Sequence, residues 1–155
     1  MACQAQFKTI KIGEQVWMAE NLNVATFCNG DTIPEAKTQQ EWDNACFNEQ
    51  PAWCYYNNDP KNGIQHGKLY NWYAFIDSRG LAPDGFSIPS DLEWRVLADF
   101  LSEGSGPSDK MRSKTGWLHD GNGSNSSGFN AFPSGARSGG SFNDLGTTCA
   151  YLCAL

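Results

Sequence analysis

The chain has 155 residues, 18% of them charged, with 17 acidic against 11 basic groups and a net charge of −6. That length suits one domain spanning residues 1–155, able to bury roughly 70% of its unfolded surface. The acidic balance, with no basic run or basic-aromatic stripe, excludes nucleic acid as an expected partner, and no apolar stretch approaches the ~20 residues needed to cross a bilayer.

Sixteen glycines, 7 prolines, 9 Phe, 6 Trp and 5 Tyr describe a loop-rich fold pinned by large rings, not a disordered chain. No leader with an apolar h-region stands at the start. The chain is therefore expected either to be made in the cytoplasm or to begin after a removed signal. Cys3 is close enough to the start to be the lipid-bearing first residue of a bacterial lipoprotein, the alternative being a plain free thiol.

In chain order, residues 6 to 18 read as a hairpin, with Phe7, Ile10 and Ile12 before Gly13 and Val16 and Met18 after it. Glu20 and Asn21 follow as polar side chains suited to bonding the turns of a loop-rich backbone. Asn29-Gly30-Asp31 is a turn, and residues 38 to 45 are a short helix begun by a Thr38 cap. Trp53 to Tyr56 reads as a strand, and Asn57 to Gly63 as a turn-rich loop. The oxygens of Asn57, Asn58 and Asp59 make that loop a candidate calcium site, although EF-hand spacing is absent and these residues are also common turn formers.

Leu69, Trp72, Tyr73 and Ile76 recur at helical spacing, which predicts a helix over 68–77. Leu92, Val96, Leu97, Phe100 and Leu101 predict a second over 90–102, opened by the capping-box pair Ser90 and Glu93. Between them Pro83-Asp84-Gly85 supplies a turn, and Phe86 and Ile88 alternate like a short strand. The two helices are expected to pack on one small, twisted, mainly antiparallel sheet, burying Trp17, Trp53, Leu69, Trp72, Tyr73, Phe86, Ile88, Leu92, Val96, Leu97 and Phe132. Trp117 anchors the loop after the second helix, residues 121 to 130 form a polar surface loop, and residues 135 to 142 form a second hairpin. Six cysteines at 3, 28, 46, 54, 149 and 153 allow several pairings; Cys28 with Cys46 is the preferred one for an exported domain.

Four ordered blocks carry a family resemblance. They are IGEQVWMAENL from Ile12, WCYYNND from Trp53, the run from GKLYNWYA at Gly67 to the Pro-x-Gly-Phe-x-Ile-Pro-Ser-x-x-Glu-Trp pattern ending at Trp94, and GFNAFPSGAR from Gly128. Together they resemble the Fibrobacter succinogenes major paralogous domain, related to the C-type lectin-like and formylglycine-generating-enzyme folds. The resemblance implies an α+β, C-type lectin-like domain. Relatives continue past the position of Gly146 through further strands, so this chain is read as C-terminally shortened with an open sheet edge. Their usual cysteine before the proline is Ala82 here.

The resemblance and the Asn/Ser/Gly loops imply a non-catalytic binding module of a bacterial surface, secreted or phage-borne protein, located outside the cell or at its surface. Glycan or protein is the expected ligand, and no cofactor is expected beyond the candidate calcium. Candidate contact residues are Tyr56, Asn57, Asn58, Asp59, Trp117, Asn122 and Asn125. The Glu-Pro-Asn and Trp-Asn-Asp strings of calcium-dependent lectins are not found. One alternative is a copper oxidase using Cys149 and Cys153, whose C-x3-C spacing departs from the formylglycine-generating pattern; neither His66 nor His119 has ligand spacing to that pair. The other is an assembly domain that self-associates through the open edge.

Overall fold

The computed structural model describes residues 7–151, 153 and 154, so the lipid reading of Cys3 lies outside the described residues. The chain is α+β, with small antiparallel ladders and few helices. The first hairpin forms as its sequence predicts: β1 (Thr9–Ile12) pairs with β2 (Gln15–Met18), and Ile10 faces Trp17 across the ladder. Helix α1 (Gln39–Phe47) starts at Thr38, whose side chain accepts from the Glu41 N–H while Glu41 reaches back to the Thr38 N–H. Strand β3 (Trp53–Cys54) follows, then single turns at Tyr56–Asn58 and Pro60–Asn62 and the short helix α2 (Gly63–His66).

The predicted helix over 68–77 is corrected. Its first residues are β4 (Leu69–Tyr70), antiparallel to β3, and only Trp72–Phe75 is helical, as α3. Asn71 decides this. Its Oδ1 accepts from the Ala74 N–H, so the helix is capped there and cannot begin earlier. Trp72 and Ile76, which the spacing placed inward, are about half exposed, and Ala74 is the buried residue.

Helix α4 (Asp91–Phe100) has the predicted capping box at Ser90 and Glu93. Its apolar residues split between two faces. Trp94, Leu97 and Leu101 pack inward, whereas Leu92, Val96 and Phe100 are exposed, because a helix lying on a small domain covers only one stripe. The Pro83-Asp84-Gly85 turn is present, with the Phe86 N–H on the Pro83 carbonyl, but the expected strand at Phe86 and Ile88 is extended chain without a ladder. After α5 (Gly106–Met111) the second hairpin forms as β5 (Ser134–Ser138) and β6 (Ser141–Leu145).

Two further expectations fail together. In place of one sheet there are, among the described residues, three separate two-stranded ladders, β1-β2, β3-β4 and β5-β6, and the isolated bridges, such as Gly135 with Cys149 and Ser90 with Ala154, join none of them to another. The two helices also do not share a core. Leu97 and Leu101 pack with Ile12, Phe129 and Ala131, while Ala74 packs with Phe27, Ile33, Trp53 and Leu81, and a third cluster joins Ala36, Trp42, Ala52 and Cys54. Strands this short cannot span the molecule: β1-β2 packs on the Leu97 cluster, β3-β4 contributes to both of the others, and β5-β6 adds only Phe142, to the Trp42 cluster.

Aromatic and ionic clasps tie the loops to these clusters. Arg79 stacks over Phe27 at 4.1 Å, binds Asp77 through both Nε and Nη2 at 2.8 Å, and reaches Asp31 at 3.3 Å. The guanidinium beside Asp77 holds its carboxyl down at about 2. No described helix is long and apolar enough to cross a membrane.

Candidate functional site

An open groove of about 670 Å³ runs where the three ladders fail to merge. All four residues of β2, both of β4 and the first four of β5 line it, whereas β1, β3 and β6 contribute none. Each ladder therefore turns one strand toward the groove and one away. At one end rings gather: Trp17 lies 4.8 Å from Trp94, Tyr151 lies 5.4 Å from Trp94 and 5.7 Å from Phe129, and Tyr151 is 40% exposed.

The polar part of the groove centres on Ser134, which is buried. Its Oγ accepts from Asn21 Nδ2 at 2.7 Å and lies 3.2 Å from His66 Nδ1; Asn21 Nδ2 also donates to the His66 carbonyl at 3.0 Å. Burial lowers the His66 pKa, so the ring is neutral at pH 7. The serine and imidazole have the contact a nucleophile and base would need. However, the ring has no second hydrogen-bonding partner among the described residues, and no carboxylate orients it. Asn21 and Glu20 bond backbone, but not turns as their sequence context suggested: Glu20 Oε1 accepts the Lys8 N–H ahead of β1 and Asn21 holds the end of α2.

Arg137, on β5, was not singled out by sequence. Its guanidinium lies 4.5 Å from the ring centres of both Trp42 and Phe142 and donates to Gln39 Oε1 and Asn58 Oδ1, and its buried Nε has no partner among the described residues. A cation alternating with aromatics in Arg137 and Phe142 across a hairpin was the only available signal. Gly135, also on the groove, sits at φ +64°, where a Cβ would lie 2.5 Å from the Asn143 carbonyl oxygen and 2.7 Å from the Tyr56 ring. Only glycine fits.

The sequence-predicted contact residues lie elsewhere and are not brought together. Tyr56 and Trp117 are interior, 7% and 8% exposed, so neither presents a free face to a ligand. Asn58 Oδ1 is taken by Arg137 and Asp59 Oδ1 by the Lys61 N–H, leaving calcium to compete for both; Asn57 is at φ 54°, a turn conformation. Asn122 Oδ1 accepts the Trp117 N–H, and Asn125 bonds Asn130 through both its amide ends. These asparagines hold loops in shape. Among the described residues no cluster of three or more His, Cys, Asp or Glu side chains has metal-binding geometry.

The expected Cys28–Cys46 disulfide is corrected as well. Both are free: the Cys28 thiol donates to Asp84 Oδ1 at 2.8 Å, while Cys46 belongs to the Trp42 cluster with Asn71 beside it. Loops 28 and 46 are anchored to different clusters, which keeps their sulfurs apart. The hydrogen bond to Asp84 raises the Cys28 pKa, with the carboxylate's charge acting in the same direction. Because the thiolate is the nucleophile, iodoacetamide should label Cys28 more slowly in the folded chain than in urea, and Asp84→Asn should speed labelling severalfold, to roughly 3–10 times. Peptide mass spectrometry checks this; an unchanged rate, or a peptide linked to Cys46, would show that the Asp84 contact is not made.

The chain matches the Fibrobacter succinogenes major domain over residues 10–151 and belongs to that family. No curated protein and no solved structure matches it.

Proposed function

We propose that the chain is a non-catalytic binding module of a bacterial surface, secreted or phage-borne protein, a variant of the C-type lectin-like fold that takes a glycan or protein ligand in the groove between its ladders. The observation that carries this is the groove itself: about 670 Å³ bordered by three strands, with half-buried rings at one end and, among the described residues, no cluster of three or more His, Cys, Asp or Glu side chains that could hold a metal. Aromatic faces and strand edges bind without any reacting group. The copper-oxidase alternative is weaker on the same grounds. Burial pushes the Cys149 thiol up, which disfavours the thiolate a soft metal needs, and the Cys153 thiol turns to the neighbouring Ala154 carbonyl.

Glycan and peptide arrays probed with the whole chain, followed by the variants Tyr151→Ala and Ser126→Ala, test the reading. A ligand should be retained whose affinity falls about tenfold with Tyr151→Ala, as loss of one exposed stacking ring costs ~1 kcal/mol or somewhat more. Ser126→Ala, in the exposed loop over 121–130, should change nothing. The reverse pattern would move the site to the loop. Copper-dependent oxidation of a peptide cysteine, lost on replacing Cys149, would make the chain an enzyme.

A further inference from the structure

The inference that follows rests on the groove being the binding site and names its ligand. In the β1-β2 ladder the Ala19 N–H reaches the Lys8 carbonyl at 2.9 Å, and Ile10 faces Trp17 while Ile12 faces Gln15. Opposed residues in an antiparallel pair alternate between exchanging both hydrogen bonds and exchanging none. Continuing from Ala19 and Lys8, the bonded residues of β2 are Trp17 and Gln15. Val16 and Met18 therefore turn their N–H and C=O groups away from β1. Among the described residues these groups meet neither backbone nor side-chain partner, and Val16 is 59% exposed. This edge belongs to the strand that lines the groove along its whole length.

An unpaired strand edge accepts one kind of occupant, another extended chain. Charge selects which. Glu14 and Glu20 stand just beyond the two ends of β2, both exposed; Glu14 is held by a surface salt bridge to Lys11, which binds it weakly, and Glu20 gives one oxygen, Oε1, to the Lys8 N–H. A second copy of this chain pairing β2 to β2, Val16 against Met18, would set Glu14 of one copy opposite Glu20 of the other at both ends. Like charges directly opposite destabilise a ladder. We propose that β2 instead takes an extended segment of another protein, apolar or Thr/Val-rich at its centre and carrying Lys or Arg at both ends. The cations should stand about six residues apart, because Glu14 and Glu20 are separated by roughly 20 Å of strand.

The probe is a fluorescein-labelled, end-capped peptide, Lys-Thr-Val-Thr-Val-Thr-Lys, titrated with the whole chain by anisotropy at low salt. Saturable binding is expected, abolished by N-methylating the alternate amides that face β2, a change that leaves the protein untouched. Glu14→Gln with Glu20→Gln should weaken it about tenfold, as should added salt, and a peptide with Glu at both ends should not bind. Val16→Pro removes an outward donor without touching the β1 ladder and should also abolish binding, with circular dichroism confirming the fold. No binding, equal binding of the N-methylated peptide, or concentration-dependent dimers of the chain alone would overturn the proposal. If a glycan ligand sensitive to Tyr151 is found while the peptide fails, the groove reading stands and only the strand pairing falls. If neither is found, both fall.

Discussion

Trp117→Ala should lower the stability of the fold by about 3–5 kcal/mol, the range for removing a large buried ring. The indole is 8% exposed, and its Nε1–H donates to both Ser113 Oγ at 3.1 Å and the Ala131 carbonyl at 3.2 Å. Ser113 is itself almost fully buried, so truncation leaves an interior hydroxyl short of one donor as well as a cavity. The Arg112 guanidinium, 4.5 Å from the ring centre, loses its stacking face too. Trp117→Phe separates the two effects. It keeps most of the volume and should cost about 1–3 kcal/mol, chiefly the lost hydrogen bonds. Urea unfolding followed by circular dichroism measures both. If Trp117→Ala cost less than 1 kcal/mol, the ring would be free at the surface, and its place as a ligand-contacting residue would be restored.

That case shows where a sequence stops being legible. Trp117 was read both as an anchor and as a ring near the ligand, since a tryptophan with a polar handle suits either place. What separates the two is the position of Ser113 and the Ala131 carbonyl, which no local pattern gives. Signals confined to a few residues survived intact. The Thr38 cap and the Ser90–Glu93 box start helices where they predict, and both glycine-centred hairpins form. Patterns that need a partner did not. Leu69, Trp72, Tyr73 and Ile76 have helical spacing, yet Leu69 is paired with Cys54, because a four-residue apolar set also fits a strand followed by a turn. The groove was invisible for the same reason. It exists because three ladders stay apart, and that is decided by long-range packing of Trp42, Phe129 and Leu81 into separate clusters. The candidate loops, by contrast, were found where their composition put them, with Asn122 and Asn125 bonded within their own loop and Asn58 taken by the distant Arg137.

Asn71→Ala should cost about 3 kcal/mol or more, although it removes only an amide. The side chain is 4% exposed and ties α3 to residues 50–52 ahead of β3. Its Oδ1 accepts from the Ala74 N–H at 2.9 Å, capping α3, and from the Ala52 N–H at 3.0 Å beside β3, while Nδ2 donates to the Gln50 carbonyl at 2.8 Å. Each bond contributes about 1 kcal/mol net, and each partner left dry costs up to about 1–3 kcal/mol more. Asn71→Asp isolates the donor half. A carboxylate still caps α3 but turns an oxygen toward the Gln50 carbonyl, where only a donor is tolerated, so the folded state favours the protonated acid and raises its pKa above the unfolded value. The deficit of Asn71→Asp should therefore be smallest below the unfolded pKa of an aspartate, near 4, and grow as pH rises through the raised folded value. Asn71→Ala should show no such trend. Parallel unfolding curves of the two variants between pH 3.5 and 7, taken against the parent chain, decide the matter: a pH-independent gap between Asn71→Asp and the parent would mean that the Gln50 carbonyl is satisfied by water, and that Asn71 acts as a cap alone.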